Sequence, residues 1–200
     1  IDPKPEKMQD VEFGYRLRNE YFNIGINGYG MFYKDQLILT GAINDVGSAI
    51  RQNVPDSYRI GLEFDGAWRI SDQFTWKATA GLSQNKIKNF VEYLGEETIQ
   101  YNKTNIALSP SAILSNELAY SPIAPLTFAL TSKYVSRQYL DNSSAKERSI
   151  DAFFVNNLRT YYTFSMWGIQ KIDLSLSINN IFNERYETSG YTWGYLDDNK

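Results

Sequence analysis

The sequence predicts an all-β chain, a segment of an antiparallel up-and-down transmembrane β-barrel with about eight to nine strands. Three observations predict it. The stretch from Ser57 to Leu82 alternates side-chain character for longer than a soluble strand needs. Connections between such stretches alternate short and long, and aromatic residues gather at the short ones.

In the long stretch, Tyr58, Ile60, Leu62, Phe64, Trp68 and Ile70 share one face of a two-residue period, and Ser57, Arg59, Gly61, Glu63, Asp65 and Arg69 the other. Ser71-Asp72-Gln73 reverses the chain. Phe74, Trp76, Ala78, Ala80 and Leu82 then oppose Thr75, Lys77, Thr79, Gly81 and Ser83. Strands in soluble domains run about 5 to 6 residues. The twelve steps from Tyr58 to Ile70, at ~3.3 Å each, cover ~40 Å, or ~28 Å along the normal at a ~45° tilt. That matches the hydrocarbon core of a bilayer. Taken alone, the hairpin also fits a large antiparallel sandwich with one face in water.

Composition narrows the function. With 42% hydrophobic residues the chain can bury a core. Its mean hydropathy is −0.43, and no run approaches the ~18 apolar residues of a transmembrane helix, so any membrane crossing uses alternating strands. Fifteen Tyr, eleven Phe and four Trp suit interfacial girdles, sandwich cores and sugar-binding surfaces alike. The absence of Cys excludes disulfides and thiolate metal sites, and the absence of His excludes Ser-His-Asp catalysis and the usual zinc and haem ligation. No catalysis, cofactor or metal is expected. A net charge of −3 argues against nucleic acid.

Taken in order, residues 1–7 read as a proline-containing loop. Val11, Phe13, Tyr15 and Leu17 then oppose Glu12, Gly14, Arg16 and Arg18. After a reversal at Asn19-Glu20 come Phe22, Ile24 and Ile26, and the phase slips at Asn27-Gly28 to Tyr29, Met31 and Tyr33. A glycine bulge explains the slip without ending the strand, and a two-residue Asn-Gly turn is the competing reading. Gly41 to Asp56, its last residues open to an extended reading, and Asn85 to Asn105 read as long polar loops. Strand character resumes over Ile106 to Tyr120, reverses at Ser121 to Pro125, and continues through Leu126, Phe128, Leu130 and Tyr134. Asp141 to Ser149 is a third polar loop, Ile150 to Phe164 a strand, Ser165 to Gly168 a reversal, and Lys171 to Asn179 the cleanest alternation. A ninth strand could begin near Tyr191.

Short turns on one side and long loops on the other are what an outer-membrane barrel requires. Around the short turns cluster Tyr15, Tyr21, Phe22, Trp68, Phe74, Trp76, Tyr120, Phe164 and Trp167, which would form one interfacial girdle against lipid. Arg16, Arg18, Arg59, Glu63, Asp65, Arg69 and Lys77 would line the lumen. The chain opens and stops in loops, so a piece of a larger barrel is expected, whose last strand lies elsewhere. Such a piece, alone, is expected to aggregate through its raw edges.

Ser177 to Tyr186, SINNIFNERY, resembles the segment near the C-terminus of TonB-dependent outer-membrane receptors, where a strand ends in an Asn-Leu/Ile-Phe-Asn run followed by Tyr. The matching residues are Asn179, Asn180, Phe182, Asn183 and Tyr186. Lys4-Pro5-Glu6-Lys7 with Glu12-Phe13-Gly14-Tyr15, the run from Phe32 to Ile38, Arg59 to Glu63, and Tyr134 to Asn142 are similar to further stretches of that family in the same order. The resemblance implies a 22-stranded bacterial outer-membrane barrel plugged by an N-terminal domain, with residues 1–200 as roughly its last third, lacking plug and final strand. It also implies uptake of a scarce large solute, most often a ferric siderophore, driven by a TonB-type energy-coupling partner acting on the plug. Ligand contacts would then come from the upper lumen and long loops: Arg51, Tyr93, Tyr101, Arg137, Tyr139, Tyr191 and Trp193, since aromatics stack and Arg grips anionic chelates. Glu96-Glu97 and Asp197-Asp198-Asn199 could ligate calcium, but adjacent loop carboxylates are usually just solvated and no EF-hand-like spacing exists. A passive porin-like or adhesin barrel and a soluble carbohydrate-binding module remain the competing functions.

Overall fold

The computed structural model describes residues 3–94 and 97–192, with the backbone alone at 41–43, 49, 93, 94 and 97. The strands are β1 (Lys7–Arg18), β2 (Phe22–Ile43), β3 (Ala49–Arg69), β4 (Phe74–Leu94), β5 (Glu97–Asn105), β6 (Ala112–Ile123), β7 (Leu126–Val135), β8 (Gln138–Tyr139), β9 (Ser149–Ile150), β10 (Phe153–Met166) and β11 (Ile169–Ile178). One antiparallel sheet runs β1-β2-β3-β4-β6-β7-β10-β11, with β5 paired beside β4. β8 and β9 form a separate small hairpin. The sheet is open, with β1 and β11 at its edges.

Local sequence explains the short turns. The Asn19 Oδ1 accepts hydrogen bonds from the Tyr21 and Phe22 amides, both at 2.8 Å. The Ser71 hydroxyl accepts from Gln73 and Phe74, and Arg69 pairs with Asp72 at 2.8 Å. Trp167 and Gly168 both have positive φ, 53° and 78°, the backbone that a two-residue hairpin turn requires. The reversal expected over Ser121 to Pro125 is narrower, because β6 continues to Ile123 and β7 starts at Leu126.

Side chains sort by face. Val11 (68% exposed), Phe13 (79%), Leu62 (58%) and Leu176 (63%) belong to an outer face of bare apolar residues. The inner face carries ion pairs instead: Arg16 with Asp65 at 2.8 Å and Lys77 with Glu117 at 3.0 Å. The outer row is interrupted by Asn116, Ser132 and Asn156, which stand opposite one another across β6, β7 and β10.

Three expectations are corrected. There is no bulge at Asn27-Gly28, since β2 keeps an unbroken register with β1 from Arg18↔Asn23 to Lys7↔Lys34. Tyr29 and Met31 instead turn inward with Asn27, where they line a groove with Arg59 and Glu63. The face switch comes at Asp35 (φ 52°), after which Gln36 meets Ser57 on the inner side in a buried 2.7 Å hydrogen bond. Second, most of Gly41 to Asp56 and Asn85 to Asn105 is strand, and the first hairpin turns only at Asn44–Ser48. An apolar period was missing there because these hairpin arms rise beyond the bilayer and no longer face lipid. Third, Ile106 to Ser111 is not strand. Pro110 lacks an amide hydrogen, Leu108 has φ 51°, and Ile106 is drawn into a buried cluster.

That cluster, Ile38, Val54, Ile87, Phe90 and Ile106, lies above the membrane-facing part of the sheet. Ile87 and Phe90 are three residues apart, which an uninterrupted strand would put on opposite faces. Asn89 between them, at φ 52°, makes the switch.

Candidate functional site

The inner face and the segment folded over its upper end hold most of the polar side-chain contacts described below. Two glycines shape the wall. Gly25 stands in register between Arg16 and Asp65, and a Cβ there would come within 2.8 Å of the guanidinium. Its absence lets Arg16 cross over and donate two hydrogen bonds, 2.8 and 2.9 Å, to the Asp65 carboxylate. Gly61 lies opposite Tyr29, whose ring rests where a Cβ would be, with its oxygen 2.6 Å from that point. Arg59 donates to Asn85 Oδ1 at 3.3 Å and to Ser109 Oγ at 3.2 Å. Tyr29, Met31, Arg59, Glu63 and Asn85 line a polar-aromatic groove of about 470 Å³.

Above the wall, residues 136–152 fold back as a strap. Asn142 is fully buried; its Oδ1 accepts from the Ala107 amide at 2.8 Å and its Nδ2 donates to the Leu39 carbonyl at 2.6 Å. Ser144 Oγ accepts from the Asn105 amide at 2.7 Å, and the Leu108 amide donates to the Tyr139 carbonyl at 2.8 Å. Arg148 lies 2.7 Å from Glu92 and 2.8 Å from Asp141, and the Tyr101 hydroxyl donates to Glu92 at 2.8 Å. Burial pushes the Glu92 carboxyl up, but the hydrogen bonds from Arg148 and Tyr101 outweigh it and hold the group below its ordinary 4.5. The same bond to Glu92, with burial, raises the Tyr101 phenol.

Of the seven residues expected to contact ligand, five have described side chains. Tyr101 is turned into the Glu92 network and packs against Phe90, with ring centroids 6.1 Å apart. Arg137 is held by Asp151 at 2.6 Å and donates to Ser149 at 2.7 Å, and Tyr139 lies beside it in β8. Arg51, opposite Leu39 in register, is exposed on the face away from Val54. Tyr191 is 64% exposed near the end of the described residues. The Tyr93 side chain, Trp193 and the carboxylate runs at 96–97 and 197–199 lie outside what is described. Among the described residues, no group of three or more His, Cys, Asp or Glu could hold a metal ion.

The motif after β11 is a turn. Asn180 and Asn183 have φ of 52° and 53°, a conformation that Asn tolerates better than most residues. The Asn180 side chain accepts from the Glu184 amide at 2.8 Å and donates to its carbonyl at 2.9 Å. Tyr186 then stacks on Phe153 at 4.5 Å, whereas Phe182 is exposed and Asn179 makes no side-chain hydrogen bond among the described residues. At the short-turn end Trp68 stands between Phe22 and Trp76 in register, and Phe74 stacks on Tyr120 at 4.5 Å. Phe164 stacks on Tyr162 at 5.4 Å, and Trp167 projects from its turn, 86% exposed.

A family model described as TonB dependent receptor-like, beta-barrel matches residues 2–181. The chain belongs to this family. Its receptors are outer-membrane β-barrels. The chain is 22% identical to a pesticin receptor of Yersinia enterocolitica over 198 residues, which cover 97% of the chain and 27% of the relative. Its fold is similar to the ferric yersiniabactin uptake receptor of Yersinia pestis (TM-score 0.68, 15% identity, 94% of this chain and 27% of that one). It is equally similar to a siderophore receptor of Acinetobacter baumannii (TM-score 0.68, 17% identity, 93% and 25%). The receptor barrel segment thus spans about a quarter of the length of these relatives.

Asn142, Glu92 and Arg148 were missed by sequence reasoning. The polar run Asp141-Asn142-Ser143-Ser144 carried a usable signal, since Asn and Ser side chains bond nearby backbone in turns. Glu92 and Arg148 are 56 residues apart, and no local pattern links them.

Proposed function

We propose that this chain is the C-terminal portion of the barrel of an outer-membrane receptor that imports a scarce large solute, a ferric siderophore. Import would be powered by a TonB-type partner acting through an N-terminal plug. The family match over residues 2–181 carries the proposal, because this barrel type belongs to receptors. The ion-paired inner face supports it, as does the tethered strap that narrows the upper lumen with polar and aromatic groups. Arg51, Arg137, Tyr139 and Tyr191 remain candidate ligand contacts, with Trp193 and Tyr93. The trans-wall aromatics, Trp68, Phe74, Trp76, Tyr120, Phe164 and Trp167, would seat the short-turn end at the lipid interface.

The test is uptake of radiolabelled iron, presented as a panel of ferric siderophores, by cells carrying the full-length receptor with and without a working TonB. Saturable uptake of at least one chelate that vanishes without TonB is expected. Uptake that persists without TonB, or a steady small-ion conductance of the purified protein in planar bilayers, would favour the porin-like reading instead.

A further inference from the structure

Five residues stand in one row across five strands on the outer face: Lys7, Lys34, Asp56, Lys88 and Lys103, each opposite the next in register. Like charges directly opposed across a β-ladder destabilise it. Lys7 with Lys34, and Lys88 with Lys103, are two such pairs, and Asp56 is the row's one anion. All four lysines are exposed, and none joins an ion pair among the described residues. The Tyr58 ring, one step nearer the apolar belt, holds two of the ammonium groups close: Lys88 and Lys103 lie 5.8 and 5.5 Å from its centroid. Lys86 beside it is turned onto Asn105 at 2.6 Å.

Beneath the lysines a groove of about 1060 Å³ runs down the outer face, floored by Phe32, Tyr58, Ile60, Leu62 and Leu82. Its depth in the membrane follows from the strand. Asp56 is twelve residues along β3 from Trp68, and at ~3.3 Å per step and ~45° tilt the row sits ~28 Å from the short-turn end. That is one hydrocarbon thickness, so the lysines lie at headgroup level on the long-connection side. An apolar groove that ends in a cluster of cations at that level is complementary to an amphiphile with acyl chains below and phosphate above.

We propose that this groove binds the phosphate-bearing headgroup of an outer-leaflet lipid, a phosphorylated glycolipid. Lys7, Lys34, Lys88 and Lys103 grip the phosphates, and Phe32, Ile60 and Leu62 carry an acyl chain. The bound phosphate removes the mutual repulsion that the row otherwise keeps. A second copy of the chain would present the same lysines and be repelled. A solute in transit would meet the inner face, not this one.

The full-length receptor, reconstituted in phosphatidylcholine nanodiscs doped with lipid A, is examined by native mass spectrometry for retained lipid. Wild type is expected to retain lipid A in preference to phosphatidylcholine. The K34Q/K88Q/K103Q variant is expected to bind it on the order of a hundredfold more weakly, as three charges near an anionic headgroup imply. K34R/K88R/K103R restores retention, and Lys133→Gln on the inner face leaves it unchanged. Heat-modifiable electrophoretic mobility reads barrel folding separately; should the triple variant misfold, Lys88→Gln alone carries the test and should still weaken retention. Equal retention by wild type and a folded glutamine variant overturns the proposal. So does displacement of lipid A by inorganic phosphate alone, which would mark a free-anion site.

Discussion

The wall of the sheet and the strap above it are ordered by different means. In the wall each strand pairs its backbone with a neighbour, the edge strands β1 and β11 on one side only, and side chains answer to the medium on each side: bare apolar residues outside, ion pairs inside. In the strap the short hairpin of β8 and β9 satisfies little backbone, and buried polar side chains supply the rest. Substitutions should therefore act locally and steeply in the strap, and more evenly in the wall.

The sharpest break in that contrast is Asn142→Ala. It removes the partner of the buried Ala107 amide and of the half-buried Leu39 carbonyl, and one unsatisfied buried group costs about 1 to 3 kcal/mol. A local loss of about 3 kcal/mol is expected, read as faster hydrogen exchange at residues 137–150 in the full-length receptor with β3 and β4 unchanged. Protection lost evenly across the barrel would show that strap and wall are one cooperative unit.

Gly61→Ala probes the wall in turn. The added Cβ would lie 2.7 Å from the Leu82 carbonyl oxygen, which is backbone and cannot swing aside, and 2.6 Å from the Tyr29 oxygen, which can. Overpacking of this kind costs about 1 to 3 kcal/mol, here spread over the β2-β3-β4 ladder and read as a lower melting temperature with strap exchange unaltered. An unchanged melting temperature would mean that β3 and β4 move apart at Gly61 far enough to take the methyl.

A milder, reversible loosening of the strap should come from pH. Glu92 is held below 4.5, so its contribution is present above that value and is lost as pH falls through the depressed one. Tyr101 is raised above 10.0, so its contribution is present below that value and is lost as pH rises through the raised one. Protection at Arg148 and its neighbours should be flat between those limits and fall outside them. Glu92→Gln should abolish the acid limb and shrink the alkaline one, since the bond to Glu92 is the main cause of the raised Tyr101 phenol, and an acid limb that survives the substitution would show that Glu92 does not carry it.

This division also marks what the sequence could disclose. Where one face meets lipid and the other water, side chains alternate, and the stretches from Val11 to Leu17, Tyr58 to Leu82 and Ile172 to Ile178 were legible residue by residue. Above the bilayer the alternation lapses, so the end of β2, the first part of β3, the end of β4 and all of β5 read as loops although they are paired strands. Single left-handed residues, Asp35 and Asn89, reverse the faces there, and an Asp or Asn in a polar run gives no warning of it. The motif from Asn179 to Tyr186 was visible as a pattern, but its use of Asn180 to close a turn on Glu184 is a matter of geometry. Most contact candidates were chosen by residue type, and Tyr101 and Arg137 prove to be occupied within the fold.

The smallest effect bears on how wet the inner face is. Lys77 and Glu117 are directly opposed across β4 and β6 at 3.0 Å, with side chains 59% and 34% exposed. Exposed pairs couple by about 0.2 to 1 kcal/mol, because water screens the attraction and two long side chains lose freedom to meet. A double-mutant cycle of Lys77→Met and Glu117→Gln on the folded receptor should give a coupling in that range that shrinks with added salt. A coupling of about 2 kcal/mol or more, insensitive to salt, would mean that something covers this part of the inner wall and keeps water from it. Repeating the cycle on a receptor from which any domain filling the barrel has been deleted would then show whether that domain is the cover. If coupling and salt dependence stay as they were, the inner face is open to water at Lys77 and the domain packs elsewhere.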